Sequence, residues 1–441
     1  MHSSLLKRTP YLCLACYSSY TLRRTQSRGG ILLFGGLGVE YRKLWTASTI
    51  SNLGDGVTLV AGPLLAASLT RDPILVAGLT FAQTVPWLLF PLISGALVDR
   101  LDRRRVMGYA DAARTTLIGA IGAAALLGWA SMPLLFVVFF LMGTLETLFD
   151  NASQAIIPAL VSRDRLERAN SRLYAAEILS NELAGPPLGG FLFGLAVAVP
   201  FLLDAGTYAA AAALILALRG EFRPKRPEDA PPTTLVAEIG EGLRWLWNHG
   251  LIRTLAIMLG VFNMTLAATN AILVLFALDV LSLGSFGYGV LLTSWAVGGL
   301  IGSLTADKIV AWLGSGRALQ ASVLVSALVL SVVALSENAV VVWAVFLLVG
   351  IIVVVWNVIT VSFRQAVVPE DIFGRVNSVY RLLGWGGLSI GALLGGFLAR
   401  SFGLTAPFWF AAVVLAVMFF IMLPFVNNRT VGEARESGEG S

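Results

Sequence analysis

The feature that most constrains this chain is a long series of apolar segments separated by short polar connections. They run over 44–69, 74–97, 106–129, 133–157, 169–197 and 199–218. After one polar interval they resume over 252–280, 287–309, 317–335, 339–363, 376–399 and 404–426. A helix crossing the hydrocarbon core of a bilayer needs roughly 20 apolar residues, and the segments cluster about that length. Only 13% of residues are charged and mean hydropathy is +0.80, whereas a soluble domain carries roughly 25% charged residues. No water-soluble core buries this much apolar surface, so the solvent of the segments is lipid.

The basic residues orient the chain. When the connections are numbered alternately, Arg42, Lys43, Arg100, Arg103, Arg104, Arg105, Arg163, Arg165 and Arg168 fall on one side. So do Arg219, Arg223, Lys225, Arg226, Lys308, Arg317, Arg364, Arg375 and Arg429, while the other side receives Arg71 and Arg400. Lys and Arg concentrate in cytoplasmic loops. Both termini are therefore expected in the cytoplasm, with the chain in a bacterial-type inner membrane. The same distribution explains the net charge of +5 without a nucleic-acid partner, because the basic residues occupy connections rather than one binding face.

Little in the chain suggests catalysis or a resident cofactor. Cys13 and Cys16 form one C-x-x-C spacing with no second pair, and His2 and His249 lie far apart without acidic neighbours. A phosphate-binding G-x-x-x-x-G-K-[ST] loop is absent, which argues against an ATP-driven pump within this chain. The expectation is a membrane protein that is not an enzyme, with no metal and no cofactor.

The two sets of segments are copies. Gln154-Ala-Ile-Ile-Pro158 recurs as Gln365-Ala-Val-Val-Pro369, and Arg168-Ala-Asn170-Ser171 as Arg375-Val-Asn377-Ser378. Gly189-Gly190-Phe191-Leu192 recurs as Gly395-Gly396-Phe397-Leu398, and Asp99-Arg100 returns, degraded, as Asp307-Lys308. One nearly constant displacement relates all of them. The implied fold class is an all-α polytopic membrane protein with about twelve transmembrane helices in two pseudo-symmetric six-helix bundles. The bundles are placed at 42–218 and 251–426, between a disordered or mis-started tail at 1–41 and a disordered tail at 427–441. The interval 219–250 combines a proline-rich charged linker with an amphipathic helix. In that helix Leu235, Ile239, Leu243 and Leu246 recur at helical spacing, suited to the membrane surface.

Acidic residues distinguish the copies. Asp55 lies mid-segment and its counterpart is Asn263; Glu146 is central in the fourth segment and its counterpart is Asn357. A charge at mid-bilayer costs roughly 2.5–3.5 kcal/mol on insertion scales, which favours retention for function. Asp55, Glu146 and Glu182 are read as lining a first-half cavity, where they carry a coupling proton or meet a cationic substrate. Asp150 shares a helix face with Glu146, and Asn263 and Asn357 are the neutral equivalents. The competing reading is structural: some of them hydrogen-bond across helices or pair with Arg114 or Arg172. Glu177, nearer the cytoplasmic end and within reach of Arg172, is read as structural, and Asp204 and Asp279 are placed near water at outer helix ends without a role.

Two motifs carry a family resemblance. Gly95-Ala-Leu-Val-Asp99-Arg100-Leu-Asp102-Arg103-Arg104 resembles G-x-L-x-D-R-x-G-R-R, the loop between helices 2 and 3 of the major facilitator superfamily, with Asp102 replacing the usual glycine. Gly95 is expected to let backbones approach closely. Gly185-Pro186-Pro187-Leu188-Gly189-Gly190 is similar to G-P-x-x-G-G, the end of a motif of proton-coupled exporters, although Arg172 and Asn181 replace its upstream glycines. The segments 51–70 and 146–171 resemble the macrolide-efflux and enterobactin-exporter-like branch. The resemblance implies a monomeric secondary transporter that exports a lipophilic drug-like or siderophore-like molecule in exchange for protons by alternating access. It also implies that Asp99 meets the eleventh helix near Arg375–Arg381 to hold the outward-facing state. The alternative is a nutrient importer, facilitator or sensor of the same fold.

Overall fold

The computed structural model describes residues 37–223, 235–369 and 372–439. The cysteine pair, His2 and most of the proline-rich linker lie outside these residues. Among the described residues the structure is all-helical. The first half contains α1 (Val39–Leu69), α2 (Pro73–Leu89), α3 (Pro91–Val98), α4 (Arg103–Leu127) and α5 (Met132–Leu160). Next come α6 (Leu166–Glu177), a π-helical segment (Ile178–Ala184), α7 (Gly185–Leu195) and α8 (Val199–Leu216). The amphipathic α9 (Leu235–Asn248) leads into α10 (Gly250–Asn270), the short α11 (Leu273–Leu275), a π turn (Phe276–Val280), α12 (Ser285–Leu313) and α13 (Ser315–Leu335). The chain ends with α14 (Ala339–Val367), α15 (Phe373–Phe402), α16 (Ala406–Met422) and α17 (Asn428–Glu439).

Nine of these helices are long and apolar enough to cross a membrane, and α2 and α16 are shorter apolar helices. The chain is a polytopic membrane protein. Its helix ends follow from local chemistry. The Asp72 carboxylate caps α2, accepting from Ile74 N at 2.9 Å, and Pro73 occupies the first turn, where a missing N–H is harmless. Asp102, the departure from the family glycine, caps α4 by accepting from Arg105 N at 3.2 Å. Gly128 closes α4 at φ 71°, a left-handed position that glycine occupies without strain.

Three expectations change. The segment 252–280 is not one helix; it breaks after Asn270 and resumes through α11 and a π turn. Residues 39–41 belong to α1, and Tyr41 is fully buried. Residues 428–439 form α17 instead of a disordered tail, held by Asn428, which donates to Leu313 O (2.9 Å) and accepts from Arg317 N (3.0 Å). Val431 is 3% exposed and anchors the same helix in the core. A hydrophobic foot and a bidentate cap outweigh the polar composition that suggested disorder.

The duplicated motifs occupy equivalent places. In the first half Gly189 lies against the Val57 backbone of α1, and in the second Gly395 lies against the Ala268 backbone of α10. The adjacent glycines face across the interface: Gly190 meets Ser285 and Phe286 of α12, and Gly396 meets Pro73, Ile74 and Ala77 of α2. A side chain at any of these positions would hold the backbones apart. Pro186 and Pro187 follow the π segment after Gly185. Without their N–H groups the preceding turn loses its usual i to i−4 bonds, and the helix widens there.

Candidate functional site

Four helices bring their midpoints together in the first half of the chain. Asp55 of α1, Arg114 of α4, Glu146 of α5 and Tyr208 of α8 each lie near the centre of their helix. Arg114 is the hub and is 3% exposed. Its Nη1 lies 3.4 Å from Asp111 Oδ1, one turn earlier on α4. Its guanidinium stacks 5.0 Å from the Phe149 ring centre and 5.3 Å from that of Tyr208. Asp55, Asp111 and Glu146 lie within its electrostatic reach, as do Asp150 and Asp204. The Tyr208 hydroxyl donates to Asp55 Oδ1, and the Trp87 indole is turned toward the Glu146 carboxyl.

Small residues admit this convergence. Gly54 lets α8 approach α1 so closely that a Cβ there would strike Asp204 and Thr207, and Gly56 lies against the Asn181 backbone. Ser48 and Ser51, two turns and one turn before Asp55 on α1, are also buried in protein. Asp204 is fully buried, contrary to its expected place near water. It accepts from the hydroxyls of Thr58 and Thr207. Its place near the start of α8 suggested exposure, but Thr58 and Gly54 of α1 close over it.

The fifth segment is rearranged. Glu177 faces Asp150, Asp55 and Glu182, and Arg172 sits beside Tyr41 and Arg168. Glu182 is exposed on the π segment, with Tyr174 and Glu177 as its charged or titratable neighbours, and stands apart from the Arg114 group. A π turn contains an extra residue, and it rotates every side chain beyond it relative to a regular helix. In the second half, Asn263 donates to Gly384 O at 3.2 Å, tying α10 to α15. Asn357 is half-buried on α14. Asp111 and Tyr208 were missed in the sequence, although Asp111 stands three residues before Arg114, the spacing of a helical ion pair.

The basic loop does different work at each residue. Arg103 Nη1 donates to Ala155 O (2.9 Å) and Arg104 Nη1 to Leu218 O (2.8 Å), which ties the start of α4 to the ends of α5 and α8. Arg100 and Asp99 are exposed, and the Asp99 carboxylate has no hydrogen-bond or ionic partner among the described residues. Gly95 faces open space and supports no close approach in this conformation. The expected partner region of Asp99, the start of α15, is engaged elsewhere: Arg375 pairs with Glu241 of α9 at 2.7 Å.

At the opposite end the two halves are clamped. Arg71 pairs with Asp279 at 3.1 Å, and Asp72 pairs with Arg400 at 3.2 Å. Between that end and the membrane middle, α2 packs on α15 and α7 on α12. The contact ends in a parallel stack of Trp87 on Trp385, with centroids 4.6 Å apart. Beyond the stack, α3, α5 and α6 pack within their own half. The interface is therefore closed at the Asp72–Arg400 end and parted at the basic end.

A family model described as transmembrane secretion effector, MFS_3, matches residues 38–437. The chain belongs to that family. It is a secondary transporter of the major facilitator superfamily, a superfamily of transporters and not of enzymes. Among curated relatives it is 26% identical to the multidrug efflux pump Tap of Mycolicibacterium fortuitum, over 82% of this chain and 90% of that one. It is 28% identical to the enterobactin exporter EntS of Shigella boydii serotype 4 (strain Sb227), over 81% and 84%. The crystal structure of an aspartate-to-alanine mutant of the nucleoside transporter NupG shares the fold, with a TM-score of 0.72 at 13% identity, covering 88% of this chain and all of that one.

For a secondary transporter, the arrangement separates two tasks. The ion pairs and glycine contacts that join the halves lie at one end, where they can be made and broken as a unit. The charged cluster lies within one half, so its internal geometry survives any movement between halves.

Proposed function

We propose that this transporter is a proton-coupled exporter of lipophilic drug-like or siderophore-like small molecules. Two six-helix bundles, 42–218 and 251–426, rock about the interface and expose one cavity alternately to each side. The twelve spans of this reading are the nine long helices, the shorter α2 and α16, and the continuous α6–π–α7 unit. The basic end is the cytoplasmic one, following the bias of Lys and Arg, so the conformation described is inward-facing and both termini are cytoplasmic. The chain is taken to act as a monomer.

The observation that carries the reading is the crowding of Asp55, Asp111, Glu146, Asp150 and Asp204 around Arg114, the buried cation of the first half, at helix mid-depth. One guanidinium cannot balance five carboxylates, and burying an unbalanced charge costs several kcal/mol. The surplus is met by protons, and Asp55, Glu146 and Asp150 are the groups from which those protons exchange with the open cavity. Glu182 contributes from the cavity wall, and Asn263 and Asn357 offer neutral polar contacts from the second bundle. Asp99, Arg100, Arg103, Arg104 and Gly95 form the loop that closes the cytoplasmic end, and Gly185, Pro186, Gly189 and Gly190 form the hinge and packing face of the fifth span. The exporter names of the curated relatives support the direction of transport. The reading is tested in inverted membrane vesicles: an imposed pH gradient should drive uptake of a lipophilic cationic dye, and Asp55→Asn should abolish it. Dye uptake that ignores the gradient in the unmodified protein refutes proton coupling.

A further inference from the structure

The parted end of the interface holds a second charged group that belongs to the other half. On α15, Trp385 faces the first half, because its ring stacks on Trp87. Arg381 lies one helical turn closer to the basic end and so shares that face. It is exposed, and no ionic partner for it exists among the described residues. On α5, Glu146 is turned to the same Trp87, and Asp150 lies one turn from it, again toward the basic end. The two helices thus present two matched levels. At the upper level the halves touch through the tryptophan stack. At the lower level Asp150 and Arg381 face one another across the gap, close enough for their charges to interact and too far apart to form an ion pair.

We propose that Arg381 is the positioning residue that couples closure of the basic end to the proton on Asp150. The proposal rests on the proton-coupled reading above and names a residue that reading does not use. While Asp150 is protonated, nothing draws α15 toward α5. When Asp150 gives its proton to water in the open cavity, its carboxylate attracts Arg381, and closing the basic end forms the ion pair. A proton arriving from the other side neutralises Asp150, frees Arg381 and lets the basic end reopen. The other groups that face Asp150 are Arg114 of α4, Asp55 of α1, Glu177 of α6 and Glu146 on its own helix. All of them belong to the first half, so they move with Asp150 and cannot report the closure. The charged residues with described side chains on the helices packed against α15 are Glu241 and Arg244 of α9 and Arg253 of α10; Glu241 is occupied by Arg375, and Arg253 donates to Trp247 O.

The test uses the full chain in proteoliposomes with spin labels at Arg105 and Gly374, which flank the basic end on opposite halves. Raising the pH through neutrality should move the unmodified protein toward the shorter inter-label distance. Arg381→Gln and Asp150→Asn should each remove that pH response, while Arg381→Lys, which keeps the charge, should retain it. Gradient-driven dye uptake should fall at least tenfold in Arg381→Gln and recover in Arg381→Lys. If uptake in the unmodified protein is gradient-driven and Arg381→Gln keeps the full pH response, the role of Arg381 is wrong and proton coupling stands. If uptake in the unmodified protein ignores the gradient, both fall.

Discussion

Removing the clamp opposite the basic end should shift the transporter toward its other conformation by a calculable amount. The perturbation is Asp72→Asn combined with Asp279→Asn, which deletes the acidic partner of Arg400 and of Arg71. Asparagine at 72 keeps the α2 cap, because its side-chain oxygen still accepts from Ile74 N. The variant therefore tests the ion pairs and not the helix. Both pairs are partly exposed, with Arg71 and Asp279 at 58% and 41%, and Arg400 and Asp72 at 60% and 29%. Pairs of this exposure contribute about 0.2–1 kcal/mol each. Together they bias the closed arrangement of this end by about 0.4–2 kcal/mol, which is roughly a two- to thirty-fold change in the conformational ratio. Spin labels at Ser131 and Glu337, on opposite halves at this end, report the distance distribution directly. The double variant should gain the longer-distance population by that factor. Raising ionic strength should do the same to the unmodified protein and little to the variant, since screening acts on the pairs already removed. A change below twofold, or a salt response that persists in the variant, would refute the clamp.

Two further substitutions follow from the packing. Gly396→Val should wedge α2 from α15, because even a Cβ at 396 lies 2.7 Å from Ala77 Cβ and 2.9 Å from Pro73 O; the same labels should show the long-distance population rise. Arg114→Gln leaves Asp111 and its acidic neighbours without their cation, and breaking a buried pair costs about 3–5 kcal/mol. Thermal unfolding in detergent should show clear destabilisation, and a melting temperature equal to that of the unmodified protein would mean that Arg114 is not the hub.

The polytopic helical fold was legible because lipid imposes length and apolarity on every span, and the duplication was legible because backbone contact at Gly189 and Gly395 tolerates no side chain. Asp55, Glu146 and Asp150 were legible for the same reason, since a carboxyl in an apolar run is conspicuous. Asp111, Tyr208 and Asp204 were not, because their significance depends on which helices meet, and hydropathy carries no record of that. That Glu177 and not Glu182 neighbours Asp55 could not be read from residue spacing, because the π segment that follows Glu177 shifts the phase of Glu182 relative to it. Arg71 and Arg400 were visible as the two exceptions to the charge bias, and their use as clamps needed the positions of Asp279 and Asp72. Asn428 and Val431 show the opposite failure, a polar tail docked by one cap and one buried side chain.

The central claim is that substrate and protons move in opposite directions through the carboxylate cluster of the first half. The most direct measurement is proton movement itself, read by a pH-sensitive dye sealed inside proteoliposomes while a gradient of a lipophilic cation is applied. The unmodified transporter should move protons against the cation flow, and Asp55→Asn combined with Glu146→Gln should move none. Proton counterflow that survives in this double variant would contradict the claim.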